Sequence, residues 1–279
     1  KVTSSRKDLS VLSGVKNIIA VSSGKGGVGK STVSVNLALA LKSLGAKVGL
    51  LDADIYGPSI PTMLNLKDAK PGMHEIGGKT IMEPVEKDGL KVLSIGFLLE
   101  PKQAVVWRGP MISSAIRQMM SDCNWGDLDY LIIDLPPGTG DIQLTLAQQF
   151  PLTGAVVVTT PQEVALADAR KAISMFLMQG INIPIFGIIE NMSWFVPKAH
   201  PDEQYFIFGK NGGKELADEY SLPLLGQIPL YLEIRELADQ GQSFENMEAE
   251  KQEHFIKFAN NLAQQVAIFN ADRLTAYAK

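Results

Sequence analysis

Cysteine is almost missing from this chain: Cys123 is the one thiol in 279 residues, which excludes an intrachain disulfide framework. Long apolar runs are missing too. None approaches the roughly 18 residues that a membrane-spanning helix needs, and the N-terminus has no signal-peptide core, so the expectation is a cytoplasmic protein without a membrane span. The chain begins at Lys1 and not at methionine, which leaves room for an upstream targeting segment or domain. Positive charge is in no excess, since 26 Lys and Arg stand against 30 Asp and Glu for a net charge of −4. That balance argues against a nucleic-acid or acidic-membrane binder, because either draws on a basic surface. No repeat, like-charge block or Ser/Gly/Pro-rich linker divides the chain. It reads as a polar connector over residues 1–14 followed by one large α/β domain over 15–279.

The most informative segment is Gly24-Lys25-Gly26-Gly27-Val28-Gly29-Lys30-Ser31-Thr32. It follows an apolar run at 17–21 and precedes a stretch, 31–44, with helical character. A glycine-rich turn between a buried strand and a helix lets backbone N–H groups turn inward around a phosphate, while the helix N-terminus adds its positive end. Lys30 is placed to reach the β- and γ-phosphate oxygens, and Ser31 to ligate Mg²⁺. The chemistry expected here is nucleotide phosphate, which by itself could serve a kinase, a transporter motor or a switch; residues 15–279 read as one P-loop domain that includes a C-terminal helix.

Short apolar runs recur at 48–51, 130–133, 155–158, 185–189 and 224–228, most of them separated by segments of helical periodicity. This alternation predicts a three-layer α/β fold, a mostly parallel central sheet with helices on both faces. Two stretches interrupt it. Runs at 80–85 and 90–94 flank Glu86-Lys87-Asp88-Gly89, which suggests a hairpin or edge strands inserted after the second parallel strand. Residues 191–213 read as one long loop carrying prolines and aromatics, and a loop of that length is usually functional or mobile. Towards the C-terminus Phe255, Phe258, Ala259, Leu262, Val266 and Phe269 share a helical stripe. The mixed charge of the opposite face favours a helix packed on the sheet over one lying on a membrane.

Carboxylates should complete a phosphate site. Asp52 and Asp54 end the second strand on alternate positions and so point the same way in an extended chain. Asp54 is the candidate to position or activate the attacking water, and Asp52 to support the Mg²⁺ shell; both could instead be solvated turn residues. Leu131-Ile132-Ile133-Asp134 is an apolar strand ending in an acid, the Walker B arrangement that holds Mg²⁺ through water. Pro136-Pro137-Gly138-Thr139-Gly140-Asp141 follows. It suits a switch in which the Gly138 N–H senses the γ-phosphate, or else a purely structural turn.

Taken together, the 24–32 loop with its extra Lys25, the 52–61 segment Asp-Ala-Asp-Ile-Tyr-Gly-Pro-Ser-Ile-Pro, the 134–145 segment and Glu190-Asn191-Met192-Ser193 resemble the Mrp/ApbC group. These are ATP-dependent iron–sulfur cluster carriers of the deviant-Walker class that includes ParA, MinD and nitrogenase iron protein. The resemblance implies a homodimer in which Lys25 of one subunit reaches the nucleotide of the other, acting with Lys30 and Asp54 in hydrolysis, as an arginine finger does. It implies that Asn191 and Pro229 meet the adenine, and that partners include iron–sulfur donor or apo-acceptor proteins.

The chain departs from that pattern in one place. Members of the group often carry Cys-x-x-Cys after the Glu-Asn-Met motif, supplying thiolates to a [4Fe–4S] cluster bridging two subunits. Here the aligned positions hold Pro197 and His200, which puts the cluster in doubt. Cys123 is the one thiolate left, either a ligand paired across a dimer or a buried small hydrophobe. His200 is a weak candidate ligand, and His74 and His254 read as surface residues without partners. Two functions follow: a Mg²⁺-dependent ATPase of the iron–sulfur carrier group, or an ATP-gated regulatory or positioning switch, ParA- or MinD-like, with no cluster of its own. In the second, Trp194, Phe195, Tyr205, Phe206 and Phe208 form a contact surface; otherwise they pack over the sheet edge.

Overall fold

A computed structural model of the chain describes residues 12–98, 109–200 and 202–277. Among these residues ten strands and eight α-helices follow one another as β1 (Val15–Ser22), α1 (Lys30–Ser43), β2 (Val48–Asp52), α2 (Ile60–Met63), β3 (Gly72–Ile76), β4 (Lys79–Glu83), β5 (Val85–Lys87), β6 (Leu90–Ser94), α3 (Gly109–Ser121) and β7 (Leu128–Asp134). The chain continues through α4 (Asp141–Gln149), β8 (Gly154–Thr159), α5 (Glu163–Leu177), β9 (Ile185–Phe195), α6 (Gly212–Glu219), β10 (Leu224–Leu230), α7 (Leu232–Asp239) and α8 (Ala249–Tyr277). Eight strands form one sheet in the order β10-β9-β8-β1-β7-β2-β6-β5, parallel except for the β5–β6 pair.

Alternation within β1 explains the layers. Ile18 and Ala20 enter one core with Ile116, Met119, Ala169 and Phe176 of α3 and α5. Ile19 and Val21 enter the other with Leu37 and Leu41 of α1 and Phe255, Phe258 and Leu262 of α8. A strand buried on both faces in this way must be apolar at successive positions, as 18–21 is. The C-terminal stripe therefore packs against α1 and β10. Each fully buried Phe or Leu in it contributes about 1.5–3 kcal/mol. Phe269 is only half-buried and meets Phe186 edge-on, ring centroids 5.5 Å apart.

The insertion after β2 departs from the expected single run at 80–85. Pro84 ends β4 at Glu83, because it has no N–H to donate to a ladder. β4 then pairs with β3 outside the main sheet, while β5 and β6 form the edge hairpin through Asp88 and Gly89, both at positive φ. A second departure lies in β9, which runs to Phe195 where a loop was expected from residue 191. Met192 adopts φ 55°, and the register with β10 shifts between Ile228 and Leu230. The strand bulges at Met192 and then resumes, so Asn191 lies inside it.

The connection after β1 crosses β7 to reach β2, and the one after β7 crosses β1 to reach β8. Strand order thus reverses direction at β1, and the crevice beyond the C-terminal ends of the strands opens there, where ligands of such sheets bind. Asp134 pairs with Val21 and with Asp52, and Asp52 with Ser94, so the acids are drawn to that one edge. Among the described residues no helix is long and apolar enough to cross a membrane.

Candidate nucleotide site

Residues 24–29 turn from β1 into α1 under two steric constraints. A Cβ at Gly24 would lie 2.0 Å from the Asp168 backbone of α5, so only glycine lets the loop pass. Gly29 sits at φ +82°, and a Cβ there would meet the Asn191 amide nitrogen at 2.2 Å. No side chain caps α1 at its N-terminus, which leaves its first N–H groups directed at the crevice. Gly26 and Gly27 are exposed, Val28 is buried in the core, and Thr32 is half-buried.

Lys30 opens α1 and is 5% exposed. Its ammonium lies 2.8 Å from Asp134 Oδ2 and 3.4 Å from Asp54 Oδ2. The Ser31 hydroxyl donates to Asp134 Oδ2 at 2.6 Å, and Ser34, one turn on, donates to Oδ1 at 2.7 Å. Ser34 escaped the sequence reading, although its three-residue spacing from Ser31 puts both hydroxyls on one helix face. Asp52 lies behind this group. Its Oδ2 accepts from Ser94 Oγ at 2.9 Å and its Oδ1 from the Asp54 N–H at 3.1 Å. Ser94 also went unrecognised, because nothing near it in the chain signals a partner 42 residues away.

Three carboxylates and one ammonium leave the cluster rich in negative charge, and the protonation of the acids reflects it. Burial first, and the neighbouring Asp134 second, push Asp52 up to about 7, against the hydrogen bond from Ser94. Burial also raises Asp54, opposed by Lys30. A hard divalent cation fits this setting. Ser31 Oγ and the Asp134 carboxylate are adjacent oxygen donors, and Mg²⁺ takes few protein ligands while keeping several waters. Among the described residues no group of three or more His, Cys, Asp or Glu side chains forms a metal cage.

The remaining expected residues gather around the loop. Asn191 Nδ2 donates to the Val28 carbonyl at 2.8 Å, and Ile228, its partner across the β9–β10 ladder, precedes the buried Pro229. The Gly138 N–H donates to the Ser23 carbonyl at 2.9 Å, with Gly138 at φ +91°. Gln143 holds the preceding turn through the carbonyls of Pro136 and Pro137, at 2.8 and 2.6 Å. Lys25 is half-buried, and among the described residues its ammonium has no hydrogen bond or ion pair.

The ligand candidates outside this cluster fare differently. Cys123 is fully buried near the start of β7, at the sheet edge opposite the 24–29 loop, and burial pushes its thiol up to about 12. It is a core hydrophobe. The 196–211 loop is closed by paired backbone bonds between Phe195 and Tyr205, 2.8 and 2.9 Å. His200 is exposed with Nδ1 3.7 Å from Glu203 Oε1. Of the aromatics, Trp194 meets His254 edge-on at 6.3 Å, Phe206 lies under the Lys210 ammonium, and Tyr205 is 49% exposed. His74 is exposed as expected, whereas His254 is half-buried and takes part in a 3.0 Å hydrogen bond with the Tyr231 hydroxyl, correcting its reading as an unpartnered surface residue. Burial holds His254 below the usual imidazole range.

With this geometry in place, the chain can be set beside known proteins. A family model described as ParA, NUBPL iron-transfer P-loop NTPase, matches residues 14–267. The iron–sulfur cluster carrier protein of Synechocystis is 56% identical over 227 residues, 81% of this chain and 64% of the relative, so the chain spans less than two thirds of that protein's length. Among solved structures, the nucleotide-binding protein of Archaeoglobus fulgidus in complex with ADP superposes with a TM-score of 0.76 at 40% identity, covering 89% of this chain and 96% of the other. The cell division ATPase MinD of Pyrococcus furiosus shares the fold, with a TM-score of 0.64 at 22% identity over 89% and 98% of the two chains.

Proposed function

This chain belongs to the NUBPL iron-transfer P-loop NTPase family, and on that premise we propose that it binds and hydrolyses Mg·ATP as a nucleotide-controlled homodimer serving iron–sulfur cluster carriage or assembly. The observation that carries the reading is the Lys30–Asp134–Ser31 group at the uncapped N-terminus of α1. Residues 24–32 cradle the phosphates, and Lys30 turns from the carboxylates to the β- and γ-oxygens. Ser31 and Asp134 would hold Mg²⁺, with Asp52 supporting them from behind. Bound Mg²⁺ supplies charge neutralisation across the phosphate oxygens. Asp54, raised by burial, takes a proton from the attacking water more readily near neutral pH than an ordinary carboxylate would. Lys25 of the second subunit offsets charge developing at the β/γ bridge. Gly138 exchanges Ser23 for the γ-phosphate as its partner, and Asn191 and Pro229 border the adenine. Residues 15–279 are the ATPase unit and 1–14 a connector; the setting is cytoplasmic, the partners are cluster donors or acceptors, and nucleic acid is not among them.

The cluster enters as cargo, and the residues present do not suit it. Thiolates hold such centres, while the one thiol here is buried and protonated at the far edge of the sheet. That observation favours a second reading, a nucleotide-gated switch that acts on a partner without carrying a cluster. Anaerobic reconstitution with iron and sulfide, followed by metal analysis and transfer to an apo-acceptor with and without Mg·ATP, separates the two. A transferable cluster keeps the carrier role. ATP hydrolysis without a cluster selects the switch, and no ATP hydrolysis overturns both.

A further inference from the structure

Glu190 is fully buried, yet no cation pairs with it among the described residues. Its Oε2 accepts from the Gly213 N–H at 2.6 Å, in the first turn of α6, and its Oε1 from Gln227 Nε2 of β10 at 2.8 Å. The approach is close enough that a Cβ at Gly213 would lie 2.7 Å from the Glu190 Cβ. A buried carboxylate with only neutral partners is costly. What the carboxylate adds is direction, since it fixes the α6 backbone and the Gln227 side chain relative to β9.

The residue that follows faces the other way. Successive side chains of a strand point to opposite faces, so Glu190 grips α6 while Asn191 grips the phosphate loop through the Val28 carbonyl. Met192, held at φ 55°, places its Cε 3.6 Å from a Cβ built on Gly29. Three consecutive residues therefore join the phosphate loop to the point where the chain returns from residues 202–211. The near end of that loop is tied to the same strand by the Phe195–Tyr205 bridge.

We propose that Glu190 is a positioning residue that couples nucleotide occupancy to the 202–211 segment: it seats Asn191 against the phosphate loop and anchors the segment's far end at Gly213. The proposal rests on the reading of the 24–32 loop as an ATP site. When phosphates fix the loop, Asn191 and β9 lose freedom, and the segment carried on β9 and α6 becomes more ordered.

Hydrogen–deuterium exchange of the whole chain, with and without saturating Mg·ATP, tests this. In the native sequence, exchange over residues 202–211 slows about tenfold on adding Mg·ATP, the scale of a modest local stabilisation. Glu190→Ala removes that nucleotide dependence while ATP still binds. Glu190→Gln retains it, because the amide oxygen accepts from Gly213 and Gln227 rotates its own oxygen towards the new NH₂. A merely structural Glu190 would raise exchange equally in both states and leave their ratio unchanged, and an unchanged ratio in Glu190→Ala overturns the proposal. Should that variant not fold, Asn191→Ala cuts the linkage at its other end; measured at Mg·ATP that calorimetry shows to saturate that variant, surviving nucleotide dependence overturns the proposal equally. A native chain that binds ATP without protecting 202–211 overturns the coupling alone. One that does not bind ATP overturns the nucleotide reading with it.

Discussion

Around Lys30 the polar side chains are buried and tied to one another, Lys30 to Asp134 and Asp54, Ser31 and Ser34 to Asp134, Ser94 to Asp52. In the 196–211 loop at the same sheet edge, His200 faces solvent, Ile207 is 58% exposed, and the ring is closed by one backbone bridge. The first region has almost no freedom to change a residue without leaving a buried charge unpaired. The second can exchange side chains at little cost to the fold. The outer loop, Pro197 and His200 included, can therefore vary in sequence while the Lys30 group stays as it is.

The largest effect expected is at Lys30. Lys30→Ala should weaken ATP binding by at least about 100-fold, since it removes the ammonium proposed to meet the phosphates and leaves Asp134 and Asp54 without their cation. Titration calorimetry measures it, and unchanged affinity would break the assignment of this region as a nucleotide site. Lys25→Ala sharpens the same contrast from outside the buried group. It should leave affinity within about threefold and slow turnover by at least about tenfold, the lower bound for a charge supplied across a dimer being larger still. Wild-type turnover in that variant would remove the second subunit from the reaction.

A smaller effect concerns pH. Asp52 is raised from 3.8 to about 7 by burial and by Asp134, so the folded protein without nucleotide binds a proton more tightly there than the unfolded chain does. The stability it contributes is complete below 3.8 and is lost as pH rises through about 7. Asp54 acts in the same direction. His254, lowered by burial, opposes them, because it must charge as pH falls below its ordinary 6.5. Comparing urea midpoints of the native chain and Asp52→Asn between pH 5 and 8 cancels the histidine. The native chain should lose stability relative to the variant as pH rises. Saturating Mg·ATP should flatten the difference, since a cation beside Asp134 favours the ionised acids. A difference independent of both pH and nucleotide would place Asp52 outside the electrostatics of the site.

Both regions were partly legible in the sequence, and for different reasons. The 24–32 loop and the strand ending at Asp134 are contiguous, so their chemistry can be read without knowing the fold. The alternation of apolar runs sufficed for the sheet, because strands buried on both faces leave a signal at every position. Ser34, Ser94 and the grip of Glu190 on Gly213 were not legible as partners, since each depends on a pairing that only the strand order creates. The apolar run 185–189 stops short of the end of β9 at Phe195, because the aromatics and proline beyond it look like a loop, and a bulge at Met192 that lets the strand resume has no local signature. Pro84 is the reverse case, a visible breaker that ends β4 at Glu83 inside the 80–85 run. His254 acquires Tyr231 as a partner only when α8 packs across β10.

The smallest change to the fold and nucleotide site should come from placing thiols in the outer loop. Pro197→Cys with His200→Cys places two cysteines three residues apart in a turn where the His200 N–H already bonds the Pro197 carbonyl at 3.0 Å. Both positions lie outside the two cores, so stability should move by no more than about 0.5 kcal/mol. ATP affinity should not change, because no residue of the Lys30 group touches them. If the loop alone decides whether a cluster is carried, the double variant should take up iron and sulfide under anaerobic reconstitution in an amount the native chain does not, read by metal analysis and absorption. Failure with ATP hydrolysis intact would mean that more than the two thiols separates this loop from a cluster site. The closed ring made by Phe195 and Tyr205, which fixes how far the turn can reach, is then the feature to open next.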